Sequence, residues 1–332
     1  RVNDDLQEEL MVTLRNPVFQ MAYYKKQYVF GNADKGYQVY DRSFKPSGML
    51  DSIMRPMKEM TINTLCASGD LLWCGVDGSG IMRITARKRM FYGWPFQGGN
   101  NNNGLHLVRA FFQMDDDLWV GTKGNGIVTL KDFFSNTDNP VHISRITAPA
   151  ALCNNFVYAI AKGTDSLVFI GTDGYGVCLY DIKMKKFVHW ENIEGTAKVS
   201  PFQYVYAILF DQDGSAWLGT NGNCLIHLKI ARKPGGGYLL QSFRQYLFNG
   251  TAGGPSNDII CSLAQGPSNC LWVGCRYGGL NLLDKSTGRF RAFKAFSYEN
   301  SLSHNDVLSL YRDTAGRLWI GTSYGLNWME EK

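Results

Sequence analysis

Leu318-Trp-Ile-Gly321 ends a short apolar burst near the C-terminus, and the same burst recurs along the chain. It returns as Tyr28-Val-Phe-Gly31, Leu72-Trp-Cys-Gly75, Leu118-Trp-Val-Gly121, Val168-Phe-Ile-Gly171, Ala216-Trp-Leu-Gly219 and Leu271-Trp-Val-Gly274. Successive glycines stand 44, 46, 50, 48, 55 and 47 residues apart. Five of the eight tryptophans (Trp73, Trp119, Trp217, Trp272 and Trp319) fall in one slot of this period. Self-similarity at such a spacing is the signature of a repeat architecture.

Each repeat has further parts. An apolar segment precedes the burst, as in Val157-Tyr-Ala-Ile160, Val205-Tyr-Ala-Ile208 and Val307-Leu-Ser-Leu310. Asp and Gly join the two, as in Asp211-Gln-Asp-Gly214 and Asp313-Thr-Ala-Gly316, the chemistry of a tight turn. A Gly-rich turn follows the burst, then a third strand (Val177-Cys-Leu-Tyr-Asp181) and a fourth (Lys186-Phe-Val-His-Trp190). Apolar residues recur at period two or in short runs broken by Gly-rich turns, so helical readings fail. Four short strands in about 48 residues make one propeller blade. The sequence therefore predicts an all-β, seven-bladed β-propeller with four antiparallel strands per blade. The repeated Trp supplies an apolar wedge between blades. Gly75, Gly121, Gly171, Gly219, Gly274 and Gly321 allow close backbone approach beside it.

The seventh unit lacks a fourth strand. Leu10-Met-Val-Thr-Leu14 is a spare strand ahead of the first unit. Residues 1–15 are expected to complete the last blade and close the ring, with 16–332 supplying the repeats of one domain. Closure removes exposed sheet edges, which invite aggregation.

Of 332 residues 45% are hydrophobic and 19% charged, which excludes a disordered chain. A net charge of +5 without a long Lys/Arg run gives no footprint for nucleic acid. No apolar run reaches the length of a membrane helix. The eight cysteines include no Cys-x-x-Cys pair and are expected to be free packing residues. The abrupt ends suggest a piece of a longer protein.

Asn305-Asp-Val-Leu-Ser-Leu-Tyr-Arg-Asp-Thr-Ala-Gly-Arg-Leu-Trp-Ile-Gly-Thr-Ser-Tyr-Gly-Leu-Asn327 resembles the two-component regulator propeller repeat. So does Ser256-Asn-Asp-Ile-Ile260, continuing through Leu271-Trp-Val-Gly274 to Gly278-Gly-Leu-Asn-Leu-Leu-Asp284. The resemblance implies a periplasmic sensor region of a hybrid two-component regulator of Bacteroidetes, part of an inner-membrane protein. It also implies oligosaccharide ligands and a neighbouring propeller or sandwich domain, with kinase and DNA-binding parts lying outside this chain.

No catalytic constellation stands out. The five histidines lack metal-ligand spacing, and His189 and His227 fall on strand positions where packing is the simpler role. There is neither a Gly-x-Ser-x-Gly elbow nor a P-loop. Asp115-Asp116-Asp117 and Asp211/Asp213 sit in turns where sister repeats carry Asp for turn reasons. The chain is thus expected to have no catalytic residues, metal or cofactor.

Ligands of propellers meet the loops of one rim. The turns after the bursts contribute Lys123, Asn125, Asp173, Tyr175, Asn221, Asn223, Arg276, Tyr277 and Tyr324. The loops before the first strands contribute Asn155, Tyr204, Asp258 and Asp306. Amides and carboxylates pair with sugar hydroxyls, and tyrosine rings stack on pyranose faces. Good turn chemistry explains the same residues. The long loop Gly93–Gly104, with Trp94 and Phe96, is a candidate lid or a surface loop. Competing readings are a non-catalytic interaction or homodimer platform, favoured if Trp94 and Trp190 are exposed, and a propeller lactonase or lyase.

Overall fold

The computed structural model describes residues 8–12, 17–32, 36–50, 54–85, 91–94, 107–133, 143–148, 151–163, 166–296 and 301–330. Most of the Gly93–Gly104 loop, Phe96 included, lies outside them. The described strands form seven sheets, all β, ordered along the chain. Each opens with a first strand: Val18–Tyr24, Ile62–Ser68, Val108–Met114, Val157–Lys162, Val205–Phe210, Ile260–Gln265 and Val307–Arg312. Each first strand pairs antiparallel with the strand holding the apolar burst, which pairs in turn with a third. First strands of successive sheets contact one another, and Val307–Arg312 contacts Val18–Tyr24.

The burst strands are buried along their length because they lie between neighbouring sheets. Trp73, Trp272 and Trp319 are fully buried, and Trp217 and Trp119 nearly so. The turn aspartate ahead of the burst closes onto the indole. Trp217 Nε1 donates to Asp211 Oδ2 at 2.7 Å, and Trp319 Nε1 to Asp313 Oδ2 at 3.0 Å. Asp211 also accepts from Lys285 and Gln265 of the next sheet, so this turn ties two sheets together.

The glycine that ends each burst faces the β-branched residue opening the next first strand. A Cβ on Gly121 would lie 2.8 Å from Val157 Cγ1, and one on Gly219 2.7 Å from Ile260 Cγ2. At the other end of the chain, a Cβ on Gly321 would stand 3.5 Å from Val18 Cγ1.

Four strands per sheet is not general. The first sheet has three, Val18–Tyr24, Gln27–Asn32 and Tyr37–Tyr40. Beyond Tyr40 the chain makes an isolated bridge from Tyr40 to Pro46 and a short 3-10 turn at Arg55–Met57. It buries Leu50, Met54 and Met57 in the core shared with the second sheet. Apolar side chains thus occupy space that an edge strand would fill, and Pro46 and Pro56 cannot donate to a ladder. The fifth sheet has five strands: the nine-residue Tyr238–Tyr246 takes Ile193–Glu194 as an extra parallel partner.

The N-terminal strand Glu8–Val12 pairs antiparallel with Gly325–Glu330, from Glu8 opposite Met329 to Val12 opposite Leu326. It begins two residues before the segment expected from sequence. All eight cysteines are free; five are buried and three half-buried. Trp190 is not exposed as the platform reading wanted. It is half-buried, edge-on to Phe202 at 5.0 Å.

Candidate functional site

Every first strand carries the same defect. Val157 pairs with Thr172 and Ala159 with Gly171, so Tyr158 is an extra residue in its strand. The register slips identically at Phe19, Asn63, Arg109, Tyr206, Cys261 and Leu308. A β-bulge re-aims the side chain it carries. Three of these extra residues meet across sheets. The Arg109 guanidinium lies 5.3 Å from the Tyr158 ring centroid, within cation–π range. Tyr158 stacks on Tyr206 with centroids 4.9 Å apart and planes at 29°. Three successive sheets thus contribute one continuous platform.

The neighbouring turns attach polar groups to it. Asn221 Nδ2 donates to the Tyr206 hydroxyl at 3.2 Å, and Asp173 hydrogen-bonds Tyr158. Burial, more than any neighbour, pushes the Tyr158 phenol up, so it stays a neutral donor. Farther round, Cys261 lies among Asp306 and Arg276, and burial pushes its thiol up to about 11. Arg276 Nε stands 3.8 Å from Asp306 Oδ1, and its guanidinium lies 5.4 Å from the Tyr277 ring. Asp306 is buried; its Oδ2 accepts from Ser323, and its Oδ1 accepts no hydrogen bond.

The residues chosen from sequence divide into two groups. Many latch one sheet to the next through their backbones. Lys123 N donates to Leu107 O, and Asn155 O accepts from Gly124 and Gly126. Asn221 N donates to Tyr204 O, and Asp258 O accepts from Gly222 and Cys224. Asn223 O accepts from Gln245, Asn125 N donates to Thr122 Oγ1, and the Asn155 side chain caps Ala148 N. These backbone contacts fit turn chemistry, while the Asn221 side chain also reaches the Tyr206 hydroxyl. The second group leaves its side chain toward solvent: Tyr175, Tyr277 and Tyr324 are 46%, 63% and 67% exposed. Glu191 raises the Tyr175 phenol through its charge and a hydrogen bond.

Sequence reasoning passed over Arg109, Tyr158 and Tyr206. They follow the Val that opens the first strand, and the bulge turns what reads as strand interior into a rim position. The signal was a polar or aromatic residue directly after that Val.

Of the aspartates weighed for catalysis, Asp117, Asp211 and Asp213 have side-chain partners within the fold. Asp117 pairs with Lys131 and accepts from Asp132 N; Asp213 accepts from Ser215 N at 2.9 Å. His227 stacks on Trp217 at 4.0 Å, and burial holds its pKa down.

Residues 200–222 and 301–324 match the model of the two component regulator propeller. The chain carries two-component regulator propeller repeats. A histidine kinase of Formosa agariphila, P4, is 24% identical over 232 residues, which is 68% of this chain and 16% of that protein. The extracellular domain of a hybrid two component system from B. thetaiotaomicron superposes with a TM-score of 0.72 at 21% identity, covering 97% of this chain and 39% of that one. A streptogramin B lyase superposes with a TM-score of 0.65 at 12% identity, covering 98% of each. These likenesses show a propeller fold. The chain spans well under half the length of the two regulator relatives. Among the described residues no helix is long and apolar enough to cross a membrane.

Proposed function

We propose that this chain is a non-catalytic sensory propeller of a hybrid two-component regulator, and that its rim recognises an oligosaccharide. Seven sheets, seven bulges at one position and the contact of the last first strand with the first support a seven-bladed ring. The pairing of Glu8–Val12 with Gly325–Glu330 supports its closure by the N-terminal strand. The observation that carries the ligand reading is the Arg109–Tyr158–Tyr206 platform with Asp173 and Asn221 at its edge. Aromatic faces beside amide, carboxylate and guanidinium groups suit a pyranose, which has apolar faces and a hydroxylated rim. Exposed Tyr277 and Tyr324 extend the same chemistry around the rim. Signalling would follow from ligand seated across several blades, passing to domains outside this chain in the periplasm.

Calorimetric titration against a broad glycan panel tests the reading. Saturable binding of one glycan class, weakened by Tyr206→Ala, is the expected result; silence across the panel sinks it.

An interaction surface is the second reading, resting on Leu247 and Phe248. Both are 52% exposed. Phe248 also lines a cavity of about 300 Å³ with Pro255, Phe290 and Lys294. A neighbouring domain or a second copy of the chain would cover this apolar ledge.

A further inference from the structure

The fourth sheet brings together three soft-metal ligands that are distant in sequence. Cys153 lies in the loop before the first strand, Cys178 on the third strand Val177–Asp181, and His189 just past the fourth, Lys186–Val188. Their Sγ and ring nitrogen atoms all fall within 4.8 Å of one another. Two zinc–sulfur bonds of about 2.3 Å at a tetrahedral angle hold their sulfurs roughly 3.8 Å apart, so the cluster has the size of a coordination shell. We infer that Cys153, Cys178 and His189 form a zinc site.

Polar groups surround the cluster. His189 Nε2 and Cys178 Sγ converge on one carbonyl, Ala151 O, at 3.1 and 4.0 Å. Glu191 Oε1 lies 3.6 Å from His189 Nδ1 on the other side of the ring. A slight approach would make this the carboxylate–histidine hydrogen bond that fixes tautomer and orientation in zinc sites. With the ion bound, Nε2 leaves Ala151 and ligates, while Nδ1–H donates to Glu191. The Trp190 backbone N–H donates to the Cys153 sulfur, which also hydrogen-bonds Cys178. Both thiols lose their protons to solvent, and water completes the tetrahedron.

The site has a structural consequence at the rim. Cys153 immediately precedes Asn154 and Asn155, and Asn155 latches the neighbouring turn through Gly124 and Gly126. Glu191 also hydrogen-bonds Tyr175. An ion at this point would pin both the loop and the exposed tyrosine.

Cobalt substitution provides the test. The chain, purified anaerobically and stripped with a chelator, is titrated with Co²⁺ and then with Zn²⁺. Thiolate-to-cobalt charge transfer in the near ultraviolet and tetrahedral d–d bands are expected, and zinc should erase both. Cys153→Ser should lower the charge-transfer band and His189→Gln should weaken cobalt binding, with near-ultraviolet circular dichroism checking that each variant stays folded. Glu191→Gln should weaken binding by about 10- to 100-fold while leaving the band shape intact. Absence of the bands in the unsubstituted chain overturns the site. Bands unchanged in folded Cys153→Ser and His189→Gln also overturn it, as does a Cys153–Cys178 disulfide in the anaerobically purified protein.

Discussion

Gly121 faces Val157 of the next sheet so closely that an added Cβ would lie 2.8 Å from Val157 Cγ1. Real side chains do not approach to that distance, so one of the two sheets must move. Gly121→Ala is expected to destabilise the fold by about 1–3 kcal/mol, the usual cost of overpacking. Gly235→Ala is the control. Nothing lies within 4 Å of its Cβ position, and a surface change of this kind falls within about 0.5 kcal/mol. Chemical denaturation of both variants decides the matter; equal midpoints would remove the steric account.

Trp217 is held on several sides. It is 1% exposed, stacks on His227 and donates to Asp211. Trp217→Ala removes the wedge and leaves a cavity, for an expected loss of about 3–5 kcal/mol. Trp217→Phe keeps most of the volume and deletes the donor, so its loss should be clearly smaller. A pair of thermal melts separates the two contributions.

The tryptophan positions were legible in sequence because wedge volume between sheets admits few substitutes. The glycine beside each was legible for the converse reason, since the next sheet leaves no room for a Cβ. The bulge was not legible, because its demand is on the backbone alone. Phe19, Asn63, Arg109, Tyr158, Tyr206, Cys261 and Leu308 share a position and no chemistry. Asn155 shows how turn chemistry and ligand chemistry share one residue type. Its side-chain oxygen caps Ala148 N and its backbone carbonyl takes two N–H groups, a demand that the sequence alone does not separate from ligand binding. The three-stranded first sheet was hidden because Leu50, Met54 and Met57 read as strand-grade apolar residues but pack from a turn.

Asp181 should set part of the acid limb of stability. It is fully buried, and burial alone would raise its pKa; hydrogen bonds from Tyr238, Met184 N and Arg232 outweigh this and hold the carboxyl below its usual range. A folded-state pKa below the unfolded value near 3.9 gives stability that is full above about pH 4. That stability disappears as pH falls through the lower folded value. Asp181→Asn is expected to flatten the loss of stability between neutral and strongly acid pH, and to cost about 3–5 kcal/mol at neutrality because Arg232 loses its partner. Denaturation midpoints against pH for both proteins provide the check; parallel curves would count against Asp181.

Deletion of residues 1–12 removes the strand that covers Gly325–Glu330. The bared strand would present unpaired N–H and C=O groups, a template for another chain. The expected outcome is a lower melting temperature with concentration-dependent association in sedimentation velocity. An unchanged melt from a monomeric truncated chain would show that the N-terminal pairing is dispensable.

The platform at the rim makes a graded prediction for any glycan that binds. Tyr206 contributes a ring stacked on Tyr158 and a hydroxyl that accepts from Asn221. Tyr206→Ala removes both and should weaken binding about tenfold, the scale of one aromatic contact near 1.4 kcal/mol. Tyr206→Phe keeps the ring, so its loss should stay within about threefold, near a single neutral hydrogen bond. Tyr324→Ala distinguishes a local from an extended site. Tyr324 lies in a turn of the seventh sheet, so a second loss of similar size requires a ligand that also reaches that sheet. No change would confine the ligand to the sheets carrying Arg109, Tyr158 and Tyr206. Melting temperatures equal to the parent's are needed for each variant, since Tyr206 is half-buried and its removal could loosen the first strands instead of the ligand contact.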